Sequence, residues 1–271
     1  MATFLDIPPF GDDPLEEVPL DSDPLIAVIA QVRFPPVASI ADQAFIGSFQ
    51  EELRPSYPVL RPEREVRLAF TPTGAVQAPE TNVVWRFVDL EENWKVSLAP
   101  SFLSLDVGEY TSRTEFVARF RSALQALANH IQPQVLDRLG VRYVDRLELT
   151  EDLPALDELV RTQVLGVAAQ NLGGASDVSR SISDTEVRTS DGAMRARWGV
   201  FPANTVLDPF HGEPPARPSW LLDLDMYTAA GSRPFSVAEV AGLTESFAER
   251  IYRVFRWTVS KELLKHFGGN P

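Results

Sequence analysis

Cysteine is absent from this chain, which excludes disulfides, thiolate nucleophiles, thiolate zinc sites and cysteine-held iron–sulfur clusters together. Histidine is nearly as scarce. His130, His211 and His266 are the only three, and their scatter makes no His-x-x-x-His metal pair. His266, at the end of the last helical stretch, suits the helix macrodipole. No apolar run approaches the roughly 18 residues of a membrane span, and Met1-Ala2-Thr3-Phe4-Leu5-Asp6 has neither a basic n-region nor an apolar h-region. The expectation is a cytoplasmic protein without a membrane association. Positive charge is in deficit, with 25 Lys and Arg against 38 Asp and Glu for a net charge of −13. Affinity for nucleic acid rests largely on Lys and Arg neutralising phosphates, so no nucleic-acid partner is expected. Gly-x-Ser-x-Gly, the phosphate-loop pattern and a Gly-x-Gly-x-x-Gly after a strand are missing too. Nothing calls for a cofactor or a metal.

What is present is enough for a sizeable core. The chain has 271 residues, 44% of them hydrophobic and 10% aromatic, the composition of an ordinary globular protein of one large domain or two subdomains. Residues 1–24 carry Asp6, Asp12, Asp13, Glu16, Glu17, Asp21 and Asp23 with no Lys or Arg, and five prolines interrupt regular structure there. They read as an acidic, proline-rich arm, either a solvated tail or an extended segment that docks on a partner.

Beyond the arm an order of elements occurs twice. Residues 25–34 are apolar on both faces, as in a doubly covered strand. A helix over 40–54, with Ile40, Ala44, Phe45, Phe49 and Leu53 inward, follows. After a proline-containing link, Val83–Val88 and Trp94–Leu98 alternate around a polar Glu91-Glu92-Asn93 tip, a hairpin signature. Phe102–Val107 adds a strand, and Thr111 or Ser112 can cap a helix with Phe116, Phe120, Leu124, Leu127 and Ile131 in register. The second pass runs from a strand at 140–149 through a helix near 153–169 to strands around 176–189, 193–201 and 220–227, with a long loop over 202–219. Asp191-Gly192 marks a tight hairpin. A helix of about 30 residues from Ser236, on the order of 45 Å long, ends the chain.

The fold class is therefore α+β: two pseudo-repeated antiparallel sheet-plus-helix units packed together, 25–137 and 138–271, with a long C-terminal helix. Two charged patterns stand out. On strand 140–149, Asp145 shares a face with Tyr143 and Leu147 while Arg142 and Arg146 take the other. A carboxylate among apolar neighbours is costly unless paired, so Asp145 is either ion-paired, with Arg33 or Arg86 as candidates, or lines a ligand cleft. Asp223 and Asp225 share a strand face and are either an Arg-paired outer face or a pair able to bind Mg²⁺ or divide acid and base roles. Trp85, Phe87, Trp94 and Phe102 read as core, or as the floor of an apolar pocket.

The run Asp23-Pro24-Leu25-Ile26-Ala27-Val28 through Gln31-Val32-Arg33-Phe34-Pro35-Pro36 is the first of several distinctive segments. Phe49–Arg54, Tyr57-Pro58, Trp85-Arg86-Phe87, Trp94–Leu98 and Leu139–Tyr143 follow it. In this order they resemble a sporadically distributed bacterial family of uncharacterised proteins. The resemblance implies a bacterial origin and carries over no functional residue. Three functions stay open. The leading one is a non-enzymatic intracellular accessory protein that binds another protein, as a homodimer. The second is a small-ligand sensor whose cleft between the units is lined by Arg33, Arg86, Arg142, Tyr143, Asp145 and Arg146. The third is an enzyme of unfamiliar type using Asp223 and Asp225.

Overall fold

The computed structural model describes the chain apart from residues 1, 12, 14, 23, 72–73, 175, 206–213 and 230, and the backbone alone over the rest of 64–82. His211 and residues 206–213 of the expected 202–219 loop lie outside the described residues. In chain order the elements are β1 (Leu25–Arg33), α1 (Gly47–Leu53), β2 (Val59–Thr71), β3 (Gly74–Val88), β4 (Trp94–Ala99), β5 (Phe102–Val107), α2 (Arg113–Ala126), β6 (Val135–Leu136) and β7 (Arg138–Glu148). There follow α3 (Leu156–Leu159), α4 (Thr162–Leu165), β8 (Ser181–Arg188), β9 (Ala193–Phe201), β10 (Ser219–Tyr227), β11 (Arg233–Pro234), α5 (Val237–Thr258) and α6 (Lys261–His266). With 29% helix and 32% strand the protein is α+β, built on a large antiparallel sheet with a C-terminal helix. Among the described residues the strand order of that sheet is β2-β3-β4-β5-β1-β7-β10-β9-β8, and β6 pairs with β11 separately.

The expected hairpins form where turn chemistry asked for them. In the β3–β4 turn Asp89 Oδ1 accepts the N–H groups of Asn93 (2.8 Å) and Trp94 (3.1 Å), and Glu92 takes the left-handed conformation at φ 58°. In the β8–β9 turn the Thr189 N–H donates to the Gly192 carbonyl at 2.9 Å. The stretch 59–82 differs from expectation. It is a hairpin rather than a link, because its prolines fall where a sheet tolerates them. Pro62 lies on β2, the edge strand, and Pro79 sits where the β2–β3 register shifts, between the pairs Val66↔Thr81 and Leu68↔Gln77.

Three helices are shorter than their periodicity suggested. The helix expected over 40–54 starts only at Gly47, after a 3-10 turn at Ala38–Ala41, and Phe45, expected inward, is 40% exposed. The 153–169 stripe breaks into α3, α4 and a 3-10 turn at Gly166–Ala169. Between α3 and α4, Val160 bridges Val259 and the Arg161 N–H donates to the Thr258 carbonyl at 3.0 Å, so tertiary pairing replaces the helical ladder. The same contacts end α5 at Thr258. Ser260 then restarts the chain as α6, its hydroxyl accepting the Leu263 N–H at 3.1 Å.

The backbone gathers into two compact units, neither continuous in sequence: Met1–Val28 with Arg142–Met226 and Ser246–Pro271, and Ile29–Val141 with Tyr227–Glu245. In the unit around Ile29–Val141, Trp85, Phe87, Trp94, Val96, Leu98, Leu103 and Leu105 are buried, as are Phe49, Phe116, Phe120 and Leu124 of α1 and α2. Phe49 meets Phe87 edge-on at 5.3 Å, and the Trp85 indole donates to the Ile40 carbonyl at 2.7 Å. Ser112 caps α2 by accepting the Glu115 N–H. In the other unit Met194, Trp220, Leu222, Leu224 and Met226 are buried together with Phe247, Ile251 and Val254 of α5. Truncating a fully enclosed aromatic such as Phe116 or Trp220 to alanine costs about 3–5 kcal/mol.

Candidate functional site

Strand alternation sorts the six expected ligand residues before any contact is considered. Tyr143 and Asp145 share the buried face of β7, and Arg142 and Arg146 take the other. These four belong to the unit containing Arg142–Met226, whereas Arg33, which is exposed, and Arg86 belong to the unit containing Ile29–Val141. The Arg86 Nε donates to Glu63 Oε2 at 2.5 Å and its Nη1 to Ser97 Oγ at 2.9 Å. The Arg146 guanidinium lies 3.7 Å from Glu148.

Arg142 is the centre of the strongest pairing. Its Nε and Nη2 grip Asp223 Oδ1 and Oδ2 at 2.7 and 2.9 Å, a bidentate fork, and Arg197 Nη2 on β9 donates to the same Asp223 Oδ2. Asp223 is 2% exposed. A carboxylate so enclosed is tolerated because both oxygens are occupied by cations. Next to this triad Val144, Leu221 and Phe201 form a buried apolar cluster with Ile26 against it. At the outer strand Arg195 holds Asp184 in an exposed pair, and its hydrogen bond keeps that carboxyl below the usual aspartate range. Among the described residues no group of three or more His, Cys, Asp or Glu is placed to hold a metal ion.

A second constellation went unanticipated. The arm, read as a solvated tail or a partner-docking segment, runs along α5 and α6 of its own chain. Phe4 bridges Ser260, the Lys261 N–H donates to the Thr3 carbonyl at 2.8 Å and the Thr3 N–H to Glu262 Oε2 at 2.9 Å. That last bond holds the Glu262 carboxyl below its ordinary value. Farther along, the Val18 N–H donates to Tyr252 Oη at 2.8 Å, and the Asp21 N–H to the Phe267 carbonyl at 3.0 Å.

Arginines supply the grip in between, and they grip main chain. Arg161 Nη2 donates to the Leu5 carbonyl at 2.6 Å, while its guanidinium stands 4.9 Å over the Phe4 ring and 5.2 Å over that of Trp257. Arg253, 4% exposed, donates from Nε to the Pro8 carbonyl at 3.1 Å and from Nη1 to the Asp13 carbonyl. Arg256, 6% exposed, reaches Tyr252 Oη at 3.0 Å and the Glu16 carbonyl at 3.5 Å. The acidic side chains of Asp6, Asp13 and Glu16 are exposed; the arm's carbonyls, not those carboxylates, meet the arginines in these bonds. The one sequence signal was the spacing Arg250, Arg253, Arg256, which sets three cations along one helix flank.

Two details show an imperfect fit. A cavity of about 140 Å³ lies between Gly11, Asp13 and Leu15 of the arm and Ser246, Glu249, Arg250 and Arg253 of α5. Arg256 Nε is buried without an acceptor among the described residues. A Cβ at Gly11 would stand 2.7 Å from the Arg253 guanidinium, so a side chain there would displace that arginine. Among the described residues no helix is long and apolar enough to cross a membrane. No protein-family model matches this chain, and no curated protein is significantly similar to it.

Proposed function

We propose that this chain is a non-enzymatic, cytoplasmic accessory protein that binds another protein and works as a homodimer. The observation that carries the reading is the grip of Arg161, Arg253 and Arg256 on main-chain carbonyls of an irregular segment that bends at Ile7 and turns at Pro8–Gly11. Main-chain-directed hydrogen bonding is the means by which proteins hold extended peptides of varied sequence. Two of those guanidinia are almost wholly buried, a costly arrangement to maintain on a helix unless another segment covers it.

The finer architecture belongs to the same proposal. After the arm at 1–24, units 25–137 and 138–271 are pseudo-repeats, and strand order supports this: β1 lies beside β5, the last strand of its own run, and β7 beside β10, the last of its run. The family resemblance supports a bacterial origin.

The small-ligand reading draws less from the geometry, because Arg86, Arg142 and Arg146 each have a carboxylate within 4 Å. The enzymatic reading asks Asp223 to act while two guanidinia occupy it.

Light scattering on the purified full chain, and reconstitution of a complex from the full chain and a purified co-isolating protein, test the proposal. Twice the 30.1 kDa chain mass and a stoichiometric complex are expected. A single-chain mass at every concentration removes the homodimer. Failure of each co-isolating protein to rebind in purified form overturns the accessory role.

A further inference from the structure

We infer that the arginine-lined flank of α5 and α6 is a docking groove for a proline-bearing segment of a partner protein, and that the described residues within 3–22 are its exchangeable intramolecular occupant. The inference rests on the protein-binding reading and adds the surface, the chemistry of the partner and the means of control.

The groove's bonds to Leu5, Pro8, Asp13 and Glu16 all end on carbonyl oxygens, which any residue supplies, proline included. A segment rich in proline lacks many N–H groups, so its carbonyls are left to outside donors, and it loses little freedom on binding because proline restricts its backbone beforehand. Apolar side chains set its register: Phe4, Leu5, Ile7, Phe10, Leu15, Val18 and Leu20 of the arm are all partly buried. The cations of Arg161, Arg250, Arg253 and Arg256 disfavour Lys and Arg in any occupant.

The arm fills this groove incompletely. The cavity beside Gly11, Asp13 and Leu15 and the buried Arg256 Nε, without an acceptor among the described residues, are deficits that a better occupant removes. A larger apolar residue near the position of Leu15 fills the first, and a carboxylate oxygen near the Glu16 carbonyl takes the second. The arm's advantage is its tether, which gives it an effective concentration on the order of millimolar. A partner segment with better contacts displaces it, and the protein stays closed to weaker ones.

The absence of cysteine permits a clean test on the full chain. Thr3 and Lys261 flank the Phe4↔Ser260 bridge, so the double variant Thr3→Cys, Lys261→Cys places two thiols across an antiparallel pair at disulfide distance. Binding of a fluorescent peptide copying residues 2–22 is followed by anisotropy, in the oxidised and the reduced protein. The reduced form should bind at least about tenfold more tightly than the oxidised form, because the disulfide fixes the arm's outer end in the groove in addition to its tether. Gly11→Val, which crowds the arm against Arg253, should tighten peptide binding over the parent chain by a similar factor, and adding Arg253→Met to it should abolish the gain. Equal affinity in oxidised and reduced protein overturns the inference, as does absence of binding in both the reduced protein and Gly11→Val. That failure removes the groove alone; the accessory role stands or falls on the reconstitution.

Discussion

Arg142 and Arg253 are both shielded guanidinia in the same unit, and they differ in what they hold. Arg142 closes on the carboxylate of Asp223, which Arg197 also engages, so charge is cancelled where it is buried. Arg253 closes on two carbonyls of the arm, so its charge is solvated by dipoles of a segment that can leave. The first arrangement fixes β7, β9 and β10 in register. The second bonds to main chain rather than to side chains, and this makes it suitable for exchange.

Removing the anion should separate the two most sharply. Asp223→Ala removes the carboxylate that Arg142 and Arg197 share and should cost about 3 kcal/mol in urea denaturation. Asp223→Asn, which keeps the shape and two acceptor sites fewer, should fall between that and the parent. A loss below about 1 kcal/mol would mean that water reaches the triad freely. At the other site, Arg253→Met should cost only about 1–2 kcal/mol, because the freed Pro8 and Asp13 carbonyls turn to water. Its signature is local: the protease that cuts after glutamate should cleave at Glu16 and Glu17 in the variant well before it does so in the parent.

Smaller effects sharpen the contrast. Ser260→Ala removes the cap that restarts the chain as α6 and should cost about 1 kcal/mol, loosening the arm at Phe4 more than at Val18, as amide exchange would report. The smallest is expected of Asp184, an exposed partner of Arg195 on the same sheet as Asp223. Asp184→Ala should change stability by no more than about 1 kcal/mol. Arg195 depresses the Asp184 pKa, so the pair's contribution is complete above the ordinary aspartate value of 3.8 and is lost as pH falls through the lower folded-state value. Parent and variant should therefore converge in acid; divergence there would contradict the pairing.

Which of these features the sequence announced follows from where the information lies. The alternation on β7 put Asp145 on the face of Tyr143 and Leu147 and Arg142 on the other, because strand side chains alternate with a period of two, although the second face is covered too, with Val144 fully buried. Asp191-Gly192 announced the β8–β9 hairpin for a similar reason. The 59–82 hairpin stayed hidden because Pro62 and Pro79 break the pattern at an edge and a bulge, which only a sheet can supply. The uninterrupted periodicity of 237–263 concealed the break at Val259–Ser260, since bonds to Leu159 and Thr3 impose it from a distance. The arm's groove was least legible of all. Carbonyl acceptors are common to every residue, so the segment held by Arg253 carries no side-chain motif. Only the Arg250, Arg253, Arg256 spacing in an otherwise acidic chain pointed toward it.

Amide hydrogen exchange on the full chain, comparing the parent with Arg253→Met, separates an arm held on its own from one locked into the sheet. The Val18 amide is bonded to Tyr252 and the Lys261 amide to Thr3, and both should lose protection in the variant while amides within β7 and β10 keep theirs. Unchanged protection at Val18 and Lys261, or a loss spread equally through the sheet, would contradict a separately held, exchangeable arm.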